Sequence, residues 1–242
     1  PFVRDALAGR LDDLAADPSD ADVQRAVTVV AELHGRRPDE IVLLDGAAEG
    51  FELLARLRPR HVALIEPTFT EPGRVLAAAG AQISRVVLRA PWRLDAAEVP
   101  DDADLVILGN PTNPTSVLYP REQILRLVRP GRTVVVDEAF ADLTADPVTG
   151  LREPQSLDGS LPDGVIVIRS ITKTFGLAGL RAGYLLAAPD LIAALTSGRR
   201  HWPIGTLALT ALAESLGPRG QEYADALARS VADDRAHLVE LL

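Results

Sequence analysis

The sequence of 242 residues contains no cysteine and no methionine. Without cysteine, disulfide bonds, zinc sites built from thiolates and cysteine nucleophiles are excluded. No apolar run approaches the roughly 20 residues of a membrane-spanning helix, and no signal peptide is visible. The formal net charge of −9, with no clustered basic stretch, argues against nucleic acid or a membrane as a partner. We therefore expect a cytoplasmic protein whose partners are small molecules or copies of itself.

Lysine is almost absent as well. Of the 25 lysine and arginine residues, 24 are arginine, so Lys173 is the only lysine. A coding bias toward arginine would explain this without any function. However, an arginine cannot lose its proton in a protein, whereas a desolvated lysine amine can, and only the neutral amine attacks a carbonyl. Lys173 is therefore a candidate for imine chemistry.

Short β-branched apolar runs alternate with helix-like segments in the middle of the chain. This pattern is typical of an α/β fold with a mostly parallel sheet and helices on both faces. We predict two N-terminal helical stretches broken at 17–20, and a helical C-terminal part from 189 broken at 202–203 and 217–218. The seven predicted strands are 41–44, 61–65, 83–88, 105–108, 133–136, 165–168 and 183–187, with helical segments at 47–57, 71–79 and 121–128.

Distinctive residues follow four of these strands. DGAAEG follows the first, GNPTNPTS contains the only two asparagines, DEAF begins with Asp137, and RSITK ends with Lys173. Ligands bind at the carboxyl ends of strands in an open parallel sheet, so these residues are expected at one edge. Backbone amides of Gly46, Ala47 and Ala48 at a helix N-terminus would suit a phosphate dianion, although GAAEG alone also fits a tight turn.

Other kinds of site find no support in the sequence. There is no GxGxxG, GxxxxGK or GxSxG pattern, which argues against a dinucleotide site, a P-loop and a hydrolase elbow. The four histidines lack metal-ligand spacing, and the acidic run at 101–104 lacks the glycine and late glutamate of a calcium loop. We therefore predict no metal site.

The segment SITKTFGLAGLRAGY, with NPTNPT and DEAF before it, resembles the lysine motif of fold type I pyridoxal-phosphate enzymes. The resemblance covers roughly residues 11–240. Within these enzymes, the chain resembles the class I and II aminotransferase family, in the branch of histidinol-phosphate aminotransferases and threonine-phosphate decarboxylases. It implies a helical segment at 1–35, a cofactor-binding large domain at 36–200, and a helical lead at 201–242 into a small domain that is largely missing.

Pyridoxal 5'-phosphate is the cofactor that the resemblance implies, and two residues match catalytic positions. Lys173 matches the lysine that bonds the cofactor aldehyde as an imine and then moves the Cα proton, which neighbouring Arg181 and partial burial would promote. Asp137 matches the aspartate that pairs with the pyridine nitrogen and so supports the electron sink. A helix cap is the plainer alternative for Asp137.

The remaining cofactor ligands also come from the resemblance. Asn113 matches the asparagine that bonds the phenolic oxygen, although a turn residue before proline is an alternative, and we interpret Asn110 as such a residue. Phe69 matches the aromatic over the pyridine face, or else belongs to the core. Glu138 and Glu49 are interpreted as structural. The residues expected to hold the phosphate are Gly46, Ala47, Ala48, Ser170 and Arg181.

The sequence departs from the family pattern in several places. Phe140 replaces the usual tyrosine, a feature closer to the decarboxylases, and Ser116 replaces a glycine after NPT. AADP at 15–18 lacks the tyrosine that reaches the partner subunit's phosphate. No substrate-carboxylate anchor is identifiable. Arg199, Arg200 and Trp202 are candidates for the end of the site that would bind the substrate's phosphate, although an exposed helix end explains them equally well.

The resemblance thus implies a homodimeric aminotransferase that acts on a phosphorylated amino substrate such as histidinol phosphate. A threonine-phosphate decarboxylase that supplies aminopropanol phosphate for cobalamin biosynthesis is the alternative. A non-catalytic fragment that binds pyridoxal phosphate is the second alternative.

Overall fold

The computed structural model describes residues 2–146, 148–159 and 161–241. Seven strands form one sheet, and eight α-helices surround it within the described residues. The strands are β1 Ile41–Asp45, β2 His61–Glu66, β3 Gln82–Val87, β4 Leu105–Gly109, β5 Thr133–Asp137, β6 Val165–Ser170 and β7 Ala182–Leu186. The helices are α1 Phe2–Ala8, α2 Asp20–His34, α3 Gly46–Leu54, α4 Glu71–Ala78, α5 Arg121–Leu125, α6 Pro189–Thr196, α7 Thr206–Leu216 and α8 Pro218–Leu241.

The strand order is β1-β7-β6-β5-β4-β2-β3, and only β7 runs antiparallel to its neighbours. The mostly parallel seven-stranded sheet is therefore confirmed. Six strands end at the same edge, whereas β7 begins there, so the residues just before β7 lie beside the ends of β1 and β6. The register pairs Asp45 with Ala182 and Ser170 with Gly183.

Both faces of the sheet are covered, as predicted. One face packs Phe51 of α3, Leu76 of α4 and Leu195 of α6 against the strands. The other face packs Val30 of α2 and Leu212 of α7. Strand residues alternate between these two clusters, because successive side chains of a strand point to opposite faces.

The predicted boundaries differ from the observed ones by a few residues. α5 ends at Leu125, three residues early, because Leu127 and Val128 donate to carbonyls three residues back and tighten the chain into turns. α3 ends at Leu54 and continues as a short 3₁₀ turn, Ala55–Leu57. The domain division at residues 35 and 200 stays a prediction. Among the helices of the described ranges, none is long and apolar enough to cross a membrane.

Candidate active site

An open cavity lies at the sheet edge where six strands end. Eight of the nine predicted site residues line it: Ala47, Ala48, Phe69, Asn113, Asp137, Ser170, Lys173 and Arg181. Gly46, the ninth, lies directly beside it, because a Cβ built on Gly46 would approach Cζ of Arg181 to 2.8 Å. The structure therefore brings all nine predicted residues together, from five separate segments of the chain.

The N-terminus of α3 forms one wall of this cavity. Gly46 adopts φ +72°, a conformation that favours glycine, and its lack of a side chain lets the Arg181 guanidinium rest against the backbone. Asp45 precedes the helix, but its side chain makes no capping hydrogen bond and instead accepts one from Arg200 at 2.9 Å. Asp45 therefore does not cap the first amides of α3, and the helix dipole and Arg181 both favour an anion there.

β7 approaches this wall closely. A Cβ on Gly183 would lie 2.7 Å from the carbonyl oxygen of Arg169 and 3.1 Å from the amide of Ala47. Glycine is therefore required for β7 to lie against both the end of β6 and the start of α3. Ser170, at the end of β6, is buried, and its hydroxyl lies 2.8 Å from Oγ1 of Thr172. A guanidinium, a hydroxyl and helix amides thus form an anion cradle.

Lys173 follows β6 on the segment that leads to the cradle. Its Nζ lies 5.7 Å from the centroid of the Phe140 ring. The side chain is exposed, while the flanking Thr172 and Thr174 are buried. Lys173 is thus more exposed than expected, because its side chain lines an open cavity.

Asp137 ends β5 and faces the same cavity. One carboxylate oxygen, Oδ1, accepts a hydrogen bond from the amide of Ala139 at 3.1 Å. Burial raises the pKa of Asp137 to about 6, while that hydrogen bond and the charge of Lys173 oppose the rise. Within the described ranges, the second oxygen, Oδ2, accepts no hydrogen bond, so one acceptor remains for a ligand.

The loop after β4 carries both asparagines, and they differ. Asn110 is buried and bonds the backbone of Tyr119 in both directions, at 3.2 Å and 2.7 Å, which supports its interpretation as a turn residue. Asn113 is exposed and lines the cavity. Ser116 adopts φ +59°, a conformation that would suit the glycine it replaces.

Phe69 lies at the cavity rather than in the core. Its side chain is 45% exposed, and its ring packs against that of Phe51 at a centroid distance of 6.2 Å. Sequence reasoning missed Phe51, Thr68 and Thr172, which also line the cavity. Thr68 and Thr172 lie inside the EPTF and SITK motifs, and this proximity is the signal that could have found them.

Arg199 is not available to a substrate. Its guanidinium binds the Glu49 carboxylate through two bonds, at 2.9 Å and 2.7 Å, and also donates to the carbonyl of Leu43 at 2.7 Å. Glu49 in turn accepts from the amide of Asp45 at 2.6 Å, which is the structural role expected of it. Arg199 is therefore already paired with Glu49, which does not support its assignment to the phosphate end of a substrate, while Arg200 and Trp202 are exposed.

This sheet topology, with a lysine, an aspartate and an arginine beside a helix N-terminus at one edge, is the arrangement expected of the fold type I class of proteins. Residues 20–242 match the model of the family "aminotransferase class I and II". The chain belongs to this family.

Relatives within the family point to two reactions. The chain is 57% identical over 234 residues to a histidinol-phosphate aminotransferase of Mycobacterium tuberculosis, an alignment covering 96% of this chain and 62% of that protein. It is 39% identical over 171 residues to a threonine-phosphate decarboxylase of a Sinorhizobium species, covering 68% of this chain and 47% of that one. The chain thus spans less than two thirds of the length of either relative.

A solved structure supports the fold. The histidinol-phosphate aminotransferase of Sinorhizobium meliloti, determined in complex with pyridoxal-5'-phosphate, superimposes with a TM-score of 0.83 at 23% identity. The match covers 98% of this chain and 66% of that one.

Proposed function

We propose that this chain is the cofactor-binding part of a pyridoxal-phosphate-dependent aminotransferase for a phosphorylated amino substrate of the histidinol-phosphate type. The observation that carries the proposal is that Lys173, Asp137 and the anion cradle share one cavity. The 57% identity to the Mycobacterium tuberculosis histidinol-phosphate aminotransferase supports the choice of substrate.

The residues at the cavity fit pyridoxal phosphate. Because Gly46 has no Cβ, the Arg181 guanidinium rests against the start of α3, where it and the helix amides would together suit a phosphate group. Asp137 keeps one oxygen without a partner in the described ranges, which suits a protonated ring nitrogen. Lys173 supplies an exposed amine on the same cavity. Donor and acceptor types thus match the phosphate, the ring nitrogen and the aldehyde of the cofactor.

Bound pyridoxal phosphate supplies an electron sink for the charge that develops at the Cα of an amino substrate. Asp137 would hold the proton on the pyridine nitrogen, since a carboxylate beside that nitrogen stabilises its cationic form. The Lys173 amine would bind the cofactor and then carry the proton to and from the substrate Cα. Arg181, Ser170 and the amides of α3 would bind the phosphate.

Phe140 favours a second candidate function. Its ring lies 5.7 Å from Nζ of Lys173 and carries no hydroxyl, whereas the resemblance implies a tyrosine at this position in aminotransferases. The 39% identity to a threonine-phosphate decarboxylase points the same way. The second candidate is therefore decarboxylation of threonine phosphate.

The unique lysine makes the cofactor assignment easy to test. The chain is mixed with pyridoxal phosphate, reduced with borohydride and digested. We expect the cofactor to be attached to the peptide that contains Lys173 and to no other internal residue. Lys173→Ala abolishes the attachment, and Lys173→Arg, the matched control that keeps the positive charge, abolishes it too because arginine cannot lose its proton. Attachment that survives in Lys173→Ala would contradict the proposal.

The two reactions are separated by their products. With histidinol phosphate and 2-oxoglutarate, an aminotransferase forms glutamate; with threonine phosphate alone, the decarboxylase releases carbon dioxide. We expect glutamate and no gas. Gas without glutamate would establish the second candidate, and neither product despite covalent attachment at Lys173 would establish a fragment that only binds the cofactor.

A homodimer and a cytoplasmic location also belong to this proposal. The homodimer rests on the resemblance, which implies a site at a subunit interface, and on the exposed apolar side chains of Leu11, Leu14 and Phe69. Sedimentation velocity tests the dimer, and fractionation of the cells that make the protein tests the location.

A further inference from the structure

A buried cluster of charged side chains lies behind the cavity. We call it the Arg169 network. Arg169 is 2% exposed, and its guanidinium contacts carboxylates from three separate stretches of chain. The partners are Glu138 at 2.9 Å, Asp142 at 2.6 Å, Glu153 at 2.7 Å and Asp158 at 3.4 Å. A buried charge requires such pairing, because its desolvation is otherwise far too unfavourable.

The network adjoins each polar part of the cavity. Arg169 precedes Ser170, and Glu138 follows Asp137. Asp142 accepts a hydrogen bond from Oγ1 of Thr174 at 2.9 Å, and Thr174 follows Lys173. The hydrogen bond between Thr174 and Asp142 matters most for the position of the cavity residues. Ser170 and Asp137 are already held in strands, whereas Lys173 lies in a segment outside the sheet.

The lysine segment has few other anchors near Lys173. The amide of Thr172 donates to Oγ of Ser170 at 3.2 Å. The amide of Phe175 donates to the carbonyl of Ile171, and that of Leu177 to the carbonyl of Thr172, both at 3.1 Å. The Thr174 side chain is 3% exposed, so its bond to Asp142 is shielded from water. A bond to a charged acceptor is stronger than a neutral one, and shielding strengthens it further.

We propose that Asp142 is a positioning residue for Lys173. Asp142, itself held by Arg169, anchors the hydroxyl of Thr174 and so fixes the direction in which the neighbouring Lys173 enters the cavity. The inference rests on the proposed function for its chemical meaning, because the amine acts only if it meets the cofactor and the substrate Cα. Its structural content, the anchoring of the segment, does not depend on any bound group.

The test is a set of three variants of the chain. Thr174→Val removes the hydroxyl at nearly constant volume, and Thr174→Ser keeps it. Thr210→Val is the matched control: Thr210 is 4% exposed and donates to the carbonyl of Thr206 at 2.9 Å within α7. All three are compared with the unaltered chain by thermal unfolding, so that a general loss of stability is recognised.

Two readouts report on the segment directly. Without cofactor, hydrogen exchange at the amides of Phe175 and Leu177 is expected to be about tenfold faster in Thr174→Val, unchanged in Thr210→Val and restored in Thr174→Ser. Side-chain labelling with ¹⁵N-lysine gives a single signal, and we expect only Thr174→Val to change the chemical shift of that signal. The affinity for pyridoxal phosphate is expected to fall about tenfold in that variant alone.

Some results would overturn the inference. These are unchanged exchange in Thr174→Val, equal acceleration in Thr210→Val, and no recovery in Thr174→Ser. A chain that takes up no pyridoxal phosphate at all would contradict the proposed function instead, and exchange without cofactor would still decide whether Asp142 anchors the segment.

Discussion

The cavity and the Arg169 network lie at the same edge of the sheet, but they differ in whether their charged side chains are buried and paired. In the network, every carboxylate meets Arg169 within 3.4 Å. In the cavity, the charged side chains of Lys173 and Arg181 are exposed. Adjacent residues divide between the two regions: Asp137 and Glu138, Ser170 and Arg169. The paired charges of the Arg169 network stabilise the fold. The exposed charges of the cavity are available to a ligand.

The same substitution in each region tests this contrast and gives the largest expected effect. Arg169→Met leaves four carboxylates without their shared cation, so we expect the free energy of unfolding to fall by about 3–5 kcal/mol. Arg181→Met, the matched variant in the cavity, changes it by less than about 0.5 kcal/mol, because Arg181 is exposed. Urea unfolding followed by circular dichroism measures both.

We expect the opposite order for the affinity of the two variants for pyridoxal phosphate, with the larger loss in Arg181→Met. Arg181→Met weakens pyridoxal phosphate binding by about tenfold or more, because it removes a charged ligand of the phosphate. Two results would contradict this distinction between the Arg169 network and the cavity. One is an Arg169→Met protein as stable as the unaltered chain, and the other is an Arg181→Met protein as unstable as Arg169→Met.

The sequence predicted the residues of the cavity but not those of the Arg169 network. The cavity residues follow strands, and β-branched runs reveal where strands end, so the edge that collects Asp137, Asn113 and Lys173 was predictable. The Arg169 network was not predictable, because its pairs form between residues 11 to 31 positions apart along the chain. Glu153 and Asp158 lie outside any helix or strand and look like solvated loop residues in the sequence.

Arg199 and Lys173 show the same limit for single side chains. Arg199 ends a helical segment, which suggests exposure, but the fold brings Glu49 to it from 150 residues away. Lys173 was expected to be partly buried on chemical grounds, yet the path of its segment, which no local pattern encodes, leaves it exposed. Local patterns indicate which residues share an edge, whereas partners and burial depend on packing over long distances.

Asp137 lies between the cavity and the Arg169 network, and we expect its substitution to have an intermediate effect on stability. Its pKa is raised by burial from 3.8 to about 6, so the folded chain holds the proton more tightly than the unfolded chain does. The stability that this proton contributes is fully present below pH 3.8 and is lost as the pH rises through 6. At pH 8 the buried charge therefore opposes folding by about 3 kcal/mol.

Asp137→Asn removes that charge at constant size. We expect the variant to be more stable than the unaltered chain at pH 8, with the difference shrinking as the pH falls to 5, and to bind pyridoxal phosphate more weakly. Urea unfolding at both pH values measures the change. A difference that does not vary with pH would show that Asp137 behaves as an ordinary exposed carboxylate.

A loss of stability smaller than that of Arg169→Met is expected from Gly46→Ala, which is paired with Gly35→Ala as its control. Both glycines have positive φ, +72° and +61°, so alanine introduces backbone strain of about 1–2 kcal/mol at either position. They differ in what the new Cβ meets: nothing within 4 Å at Gly35, and the Arg181 guanidinium at Gly46. We therefore expect similar losses in thermal unfolding but a fall in affinity for pyridoxal phosphate in Gly46→Ala alone. Equal affinity in the two variants would show that the cradle tolerates a side chain, and the phosphate would then have to bind elsewhere than between Arg181 and α3.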